Sequence, residues 1–218
     1  MHIPDGFISP STSITALALA VPLWWYGMKK AKELLDSHED AVTFLSSMAA
    51  FSFLIMMINI PIPGGTSGHA IGMAVLAILL GPWAAFIAIS AVLFFQAVLF
   101  GDGGILAIGA NSLAMGFVGS FGAYYFYRLL HNRASQSVAL FISGYGGMVL
   151  ASVAVALILG IQPMLFMEDG KAIYFPFGLN VTIPAIIGSH ILIFGVIEGL
   201  VTVAVVRFFK KIKRVASA

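Results

Sequence analysis

The sequence predicts an all-α, polytopic membrane protein: a seven-helix bundle with its N-terminus outside and its C-terminus cytoplasmic. Three observations carry this expectation. Of 218 residues, 60% are apolar and only 9% are charged, where roughly a quarter is usual in soluble domains. Mean hydropathy is +1.02, and so few charged side chains cannot cover a water-facing surface. The apolar stretches are continuous rather than alternating, which suits helices crossing about 30 Å of hydrocarbon and not the strands of an outer-membrane barrel. A net charge of +2 and the absence of cysteine exclude a nucleic-acid-binding role, a disulfide scaffold and thiolate metal ligation.

Charge-free runs place spans at about 11–28, 41–60, 70–81, 84–100, 105–127, 136–160 and 181–206, within one transmembrane domain, 1–218. The opening Met-His-Ile-Pro-Asp-Gly has no basic leader, so the first span is expected to be an uncleaved anchor, inserted amino end first because Lys29, Lys30 and Lys32 follow it. In the second span, Ser46 and Ala50 set small residues in register for close helix packing, as Gly116 and Ser120 do in the span over 105–127. The piece over 70–81 gives only about 18 Å of helix, which barely crosses. The run from Ala70 to Phe100 therefore reads either as one kinked helix or as two short ones turning at Gly81-Pro82-Trp83. The positive-inside rule favours two, since that parity puts ten of the 11 basic residues inside and only Lys171 outside, whereas one helix puts seven outside. Within 136–160, Gly-Tyr-Gly-Gly at 144–147 follows no strand and reads as packing rather than a phosphate loop. The last span, 181–206, precedes a basic tail.

This topology gathers four segments on the outer face, 1–9, 61–69, 101–104 and 162–179, which bring His2, Asp5, His69, Asp102, Glu168 and Asp169. The turn-rich Pro-Ile-Pro-Gly-Gly-Thr-Ser-Gly-His sets His69 where a loop enters a short helix below the outer interface. The N-terminus supplies the chemistry. Met1 followed by His2 offers one ion three nitrogens: the Met1 amine, the deprotonated His2 amide and the His2 imidazole. The imidazole of His69 would complete four in a plane, a geometry suited to Ni(II) or Cu(II), with Co(II) also accommodated. Zinc prefers tetrahedral sites, and calcium and magnesium prefer oxygen. The amine, with an ordinary pKa of about 7.8, must lose its proton to bind.

Asp5, Ser67, Asn111 and His190 are candidates to support the metal loops from behind. His190 lies deep in the last span with Glu198 on nearly the same helical face. These two read either as functional buried groups or as an internally satisfied hydrogen-bonded pair. His38 and His131 read as solvated loop residues.

The opening Met-His-Ile-Pro-Asp-Gly-Phe, the Gly-Gly-Thr-Ser-Gly-His at 64–69, the Gly-Ala-Asn-Ser-Leu-Ala-Met-Gly at 109–116 and Glu198-Gly199 resemble the CbiM/NikM family. Members are the substrate-binding membrane subunits of energy-coupling factor (ECF) transporters for cobalt and nickel, and the likeness runs essentially from end to end. It implies metal held by the Met1 amine, the His2 amide and side chain, and the His69 side chain. It also implies a multi-pass subunit of the cell membrane, with a transmembrane coupling (T) subunit, two ABC-type ATPases and a small auxiliary membrane subunit as partners. With its basic tail closing at Ala218, this chain is expected to find any auxiliary subunit on a separate protein.

No cofactor and no catalytic activity are expected, the ion being cargo. The sequence carries no Walker A motif, and Gly170-Lys171 lacks the flanking residues of one, so inward release is expected to be driven by a partner. Two rivals stay open: an autonomous metal channel or secondary transporter, with His2 and His69 as entrance and Asn111, His190 and Glu198 as pathway, and an intramembrane enzyme built on His190 and Glu198. The second has no paired His-Glu-x-x-His, serine dyad or aspartyl pair behind it. Ni(II) and Co(II) are not distinguished by four nitrogens.

Overall fold

A computed structural model describes residues 1–37, 40–62 and 66–216, with 212–216 as backbone only. The readings of His38, of Gly64 and Gly65, and of the Lys213 and Arg214 side chains fall outside the described residues.

Seven helices follow one another. Helix α1 (Pro10–Ser37) starts where Ser9 Oγ accepts the Thr12 N–H at 3.1 Å and Pro10 fills the first turn, which needs no N–H. Then come α2 (Ala41–Met56), α3 (Met73–Leu80), α4 (Pro82–Phe100), α5 (108–130), α6 (Gln136–Leu165) and α7 (179–216). Three of them, Pro82–Phe100, Gln136–Leu165 and Leu179–Lys211, are long and apolar enough to cross a membrane. With the composition, this describes a multi-pass helical membrane protein. Helix α5 carries a π-helical stretch at Ser112–Gly119, and α7 carries two, at Ile183–Ile187 and His190–Phe194. Such stretches recur at functional sites.

The all-α expectation needs one amendment. Strands β1 (Ile60–Ile62) and β2 (Thr66–Gly68) pair antiparallel with Ile60 opposite Gly68, and β3 (Met167–Glu168) pairs with β4 (Lys171–Ala172). Pairing satisfies N–H and C=O groups of the largely buried β2, while β1 and the second pair, β3 and β4, are mostly exposed. Pro61 and the surrounding glycines hide the pairing of β1 with β2 from pattern reading.

The short third piece is shorter than expected. Helix α3 begins at Met73 and, at 1.5 Å per residue, spans about 12 Å, too little to cross by itself, and the buried stretch from His69 to Gly72 leads into it as non-helical backbone. Gly81 adopts φ 88° and Pro82 opens α4, so 70–100 is two helices rather than one with a kink. Met73 to Ala77 are fully buried, as befits a helix apolar on every side.

The amino end of α3 is capped from far away in sequence. Glu198 Oε2 on α7 accepts the N–H groups of Ile71 and Gly72 at 2.8 and 3.0 Å, setting a carboxylate at the positive end of a helix whose N-cap, Gly72, has no side chain to offer. His190 Nδ1 pairs with the Ile186 carbonyl at 2.6 Å. The internally bonded pair, one of the two readings of His190 and Glu198, is not formed: among the described residues no hydrogen bond joins them, and each bonds backbone through one atom while His190 Nε2 and Glu198 Oε1 have no partner. The 144–147 glycines do pack as read, since a Cβ on Gly144 would stand 2.8 Å from the Glu198 carbonyl oxygen.

Beneath β2, the buried ring of Phe194 occupies the space that any side chain on Gly68 would need. Gly68→Ala is expected to cost about 1–3 kcal/mol, read as a lowered thermal unfolding midpoint in detergent. Adding Phe194→Leu should recover part of the loss. An unchanged midpoint in the single variant would overturn this packing account.

Candidate metal centre

The amino terminus threads into the end of the bundle where the four polar segments meet. Met1 and Ile3 are fully buried and His2 is 3% exposed, so their backbone groups need partners inside the protein. Asn111 supplies two: its Oδ1 accepts from Ile3 N at 2.9 Å, and its Nδ2 donates to Ile3 O at 3.0 Å. Gly104 N also donates to Ile3 O at 2.9 Å, and Thr66 Oγ1 donates to His2 O at 3.3 Å. Further along, Phe175 N donates to Phe7 O at 3.1 Å and Ser9 N to Gln162 Oε1 at 3.0 Å, which brings in the 162–179 segment. The His2 amide N–H makes no hydrogen bond among the described residues.

Three nitrogen-bearing groups converge here. The Met1 amine donates to the Ser67 carbonyl, lies 3.4 Å from Ser67 Oγ, and sits 3.2 Å from His69 Nε2. His69 Nδ1–H donates to the Ala70 carbonyl at 3.1 Å, which makes Nε2 the unprotonated nitrogen and the acceptor of the Met1 amine N–H. His2 Nε2–H donates to Gln96 Oε1 at 3.1 Å, and Gln96 Nε2 points to the Phe53 carbonyl at 3.4 Å, fixing the amide's orientation and leaving His2 Nδ1 as the bare acceptor. The two imidazoles stack, with centroids 4.6 Å apart and planes at 25°. Among the described residues no group of three or more His, Asp or Glu side chains gathers at one point.

The other predicted residues fall on either side of this centre. Ser67 and Asn111 touch the N-terminal strand directly. Exposed Asp5 instead accepts from Ile105 N and Leu106 N at 3.1 and 2.9 Å, clasping the 105–106 backbone rather than reaching the nitrogens. His190 lies fully buried with Nε2 unpartnered and its ring against Phe194, 5.1 Å between centroids. Glu168 and Asp169 ride an exposed hairpin, and exposed His131 bonds the Arg128 carbonyl. Gln96 and Asn59 escaped the sequence reading. The only available signal for Gln96 was an amide inside an otherwise charge-free span, and for Asn59 a position just before the turn-rich loop.

Opposite His2 stands Asp102, whose Oδ1 is 3.2 Å from His2 Nδ1 and whose two oxygens accept from Asn59 Nδ2 at 3.2 and 3.3 Å. Together with Pro61, Thr66 and Ser67 these residues line a cavity of about 360 Å³. Burial pushes the Met1 amine from its ordinary 8.0 down to about 5, with Asp102 opposing. Burial and the neighbouring amino terminus hold His2 at about 3, against the pull of Gln96, so the approach of Asp102 to its ring is not an ion pair at neutral pH. Burial, again with the amino terminus, keeps His69 well below 6.5. Burial raises the Asp102 carboxyl. All three nitrogen groups are thus uncharged near pH 7, the state in which they can act as donors.

The chain is similar to known metal transport proteins. The profile of the CbiM family, described as the cobalt uptake substrate-specific transmembrane region, matches residues 2–216. A probable fused nickel transport protein, LarMN, of Lactiplantibacillus plantarum is 42% identical over 97% of the chain, and the chain spans 65% of that relative's length. A putative metal transport protein of Methanocaldococcus jannaschii is 40% identical, with 98% of this chain and 93% of the relative covered. Among solved structures, a truncated transition metal transporter superposes with a TM-score of 0.92 at 44% identity, covering 97% of this chain and 99% of the other.

The shifts predict pH-dependent docking of the N-terminal strand. A free amino terminus takes up its proton near 8.0, whereas the docked one resists until about 5, so the undocked form binds more protons between those values. Docking is at full strength above pH 8 and weakens by about 4 kcal/mol as pH falls to 5, and His2 adds to the loss below 6.5. In metal-free protein, hydrogen exchange of residues 1–9, corrected for intrinsic rates, should therefore accelerate from pH 8 to 5.5 relative to the middle of α6. A pH-independent ratio would refute the linkage.

Proposed function

The chain belongs to the CbiM family, and from that premise we propose that it is the substrate-capturing membrane subunit of an ATP-driven ECF-type importer of Ni(II) or Co(II). The observation that carries the reading is the gathering of the Met1 amine, His2 Nδ1 and His69 Nε2, all uncharged, the last accepting from the amine and His2 Nδ1 without a hydrogen bond, beside a backbone N–H that makes no described hydrogen bond. Gln96 and the Ala70 carbonyl select the two imidazole tautomers, a role that outer partners of metal-binding histidines commonly fill. In this reading the ion takes the amine, the deprotonated His2 amide, His2 Nδ1 and His69 Nε2. The His69 ring turns out of its stack on His2 to close the fourth position.

The rest of the proposal concerns sides and partners. The charge distribution supports an outer N-terminus and a cytoplasmic C-terminus, with the chain in the cell membrane as one transmembrane domain. A nitrogen chelate tight enough to scavenge trace metal releases it slowly, so inward delivery needs work from outside the chain. The coupling subunit and two ABC-type ATPases supply it, and the subunit itself catalyses no reaction and holds no resident cofactor. A small auxiliary membrane subunit is a further partner, consistent with relatives described as fused nickel transport proteins.

One residue added before Met1 shifts the amine out of register with His2, so tight Ni(II) binding should be lost while the helical circular dichroism stays unchanged. His69→Ala should do the same. In proteoliposomes this chain alone should bind Ni(II) without net uptake; accumulation would favour an autonomous transporter. Gln96→Leu should weaken Ni(II) binding by roughly 10–100-fold, and native affinity in that variant would remove Gln96 from the site.

A further inference from the structure

We propose that Asp102 is the counter-charge of the captured ion and so makes the site selective for divalent metals; the inference rests on the nitrogen site proposed above. Asp102 Oδ1 stands 3.2 Å from His2 Nδ1. Because the other ring nitrogen donates to Gln96, Nδ1 presents a lone pair, and an ionised carboxylate oxygen facing that lone pair is repelled unless a positive centre lies beside them. The carboxylate is held there. Asn59 Nδ2 reaches both of its oxygens, at 3.2 and 3.3 Å. Gly101 and Gly103 flank it with φ 67° and 87°, left-handed conformations that turn the chain tightly at this residue. A Cβ on Gly103 would lie 3.3 Å from His2 Cδ2, so the loop rests on the same imidazole. Among the described residues, no Lys or Arg lines the cavity that His2 and Asp102 share.

Charge accounting gives this geometry its meaning. A divalent ion brings two positive charges. The amine and both imidazoles are neutral donors, and the His2 amide contributes one negative charge as its proton leaves through the cavity to water. The buried complex would keep one positive charge, which is costly away from solvent. Asp102 supplies the second negative charge and brings the total to zero. By the same accounting a monovalent ion leaves the pocket negative and a trivalent ion leaves it positive.

The test is Ni(II) binding to the full chain in detergent, by competition with a chromogenic chelator, for the native protein and for Asp102→Asn, Asp102→Glu and His69→Ala. Asn keeps the shape and an oxygen for Asn59 but loses the charge; Glu keeps the charge and alters the reach. A unit charge about 4 Å from the ion, in an effective dielectric of about 20, is worth roughly 1000-fold in affinity, less where the group is partly exposed. Asp102→Asn should therefore bind on the order of 100-fold more weakly, while Asp102→Glu stays within about 10-fold of native. The visible absorption band of the bound nickel should not move in Asp102→Asn, since the four nitrogens are unchanged. The native association rate should fall more steeply with ionic strength than that of the Asn variant. Native affinity in Asp102→Asn, or tolerance of Asn with failure of Glu, overturns the counter-charge assignment and leaves the nitrogen site standing if His69→Ala still abolishes binding. Native binding by His69→Ala as well would bring down the nitrogen site itself.

Discussion

The amino-terminal strand is buried, and burial obliges nearly every polar group on it to find a partner. That constraint organises the outer end of the molecule. Asn111 takes both backbone edges of Ile3, Gly104 adds a second donor to the Ile3 carbonyl, Thr66 satisfies the His2 carbonyl and Ser67 the amine. The strand is thereby fixed in register to better than a residue, since a slip by one would leave several desolvated amides unpaired, each at roughly 1–3 kcal/mol. Against this nearly complete satisfaction, the His2 N–H and His2 Nδ1, which have no hydrogen bond among the described residues, stand out with His69 Nε2, whose one partner is the amine. They lie beside the same amine, and the interactions that position them come from four different stretches of chain.

How much of this could be read from residues alone follows from what periodicity and charge record. Continuous apolar runs gave seven helices, and the rarity of histidine made His2 and His69 conspicuous once the topology placed their segments on one face. Asn111 was noticed because an amide inside a span is unusual, although its grip on Ile3, 108 residues away, leaves no local trace. Gln96 was passed over for the opposite reason: an uncharged polar residue does not interrupt a charge-free run, and its use depends on which ring faces it. Asp5 sits two residues from Ile3 yet turns outward to the 105–106 backbone, a direction that proximity in sequence cannot supply. The pairing of β1 with β2 was hidden by proline and glycine, whose turn-forming signal dominated the three-residue strands.

Helix α3 shows a second way in which distant residues complete one another. Its eight residues are too few to cross and too apolar to face water, so it survives only inside the bundle, where its first N–H groups need an acceptor. Glu198 provides one from α7. In the same helix, Phe194 packs under Gly68 and the His190 ring lies tilted against Phe194, so one stripe of α7, spaced by four residues, supports the loop that carries His69. The π-helical turns at 183–187 and 190–194 shift the residues of this stripe around the helix axis relative to a regular α-helix.

This arrangement gives the last helix mechanical leverage over the loop that carries His69. Glu198 grips the peptide units of Ile71 and Gly72, only two and three positions beyond His69, and it does so from a helix that continues for about two and a half turns beyond Arg207 into the basic tail. A rotation or slide of that helix, imposed at its far end, is hauled along a stiff rod to the very peptide that sets the angle of the His69 imidazole. The bolt that steadies the loop at rest is also a drawbar, and through it a pull applied at one face of the protein can be felt at the other.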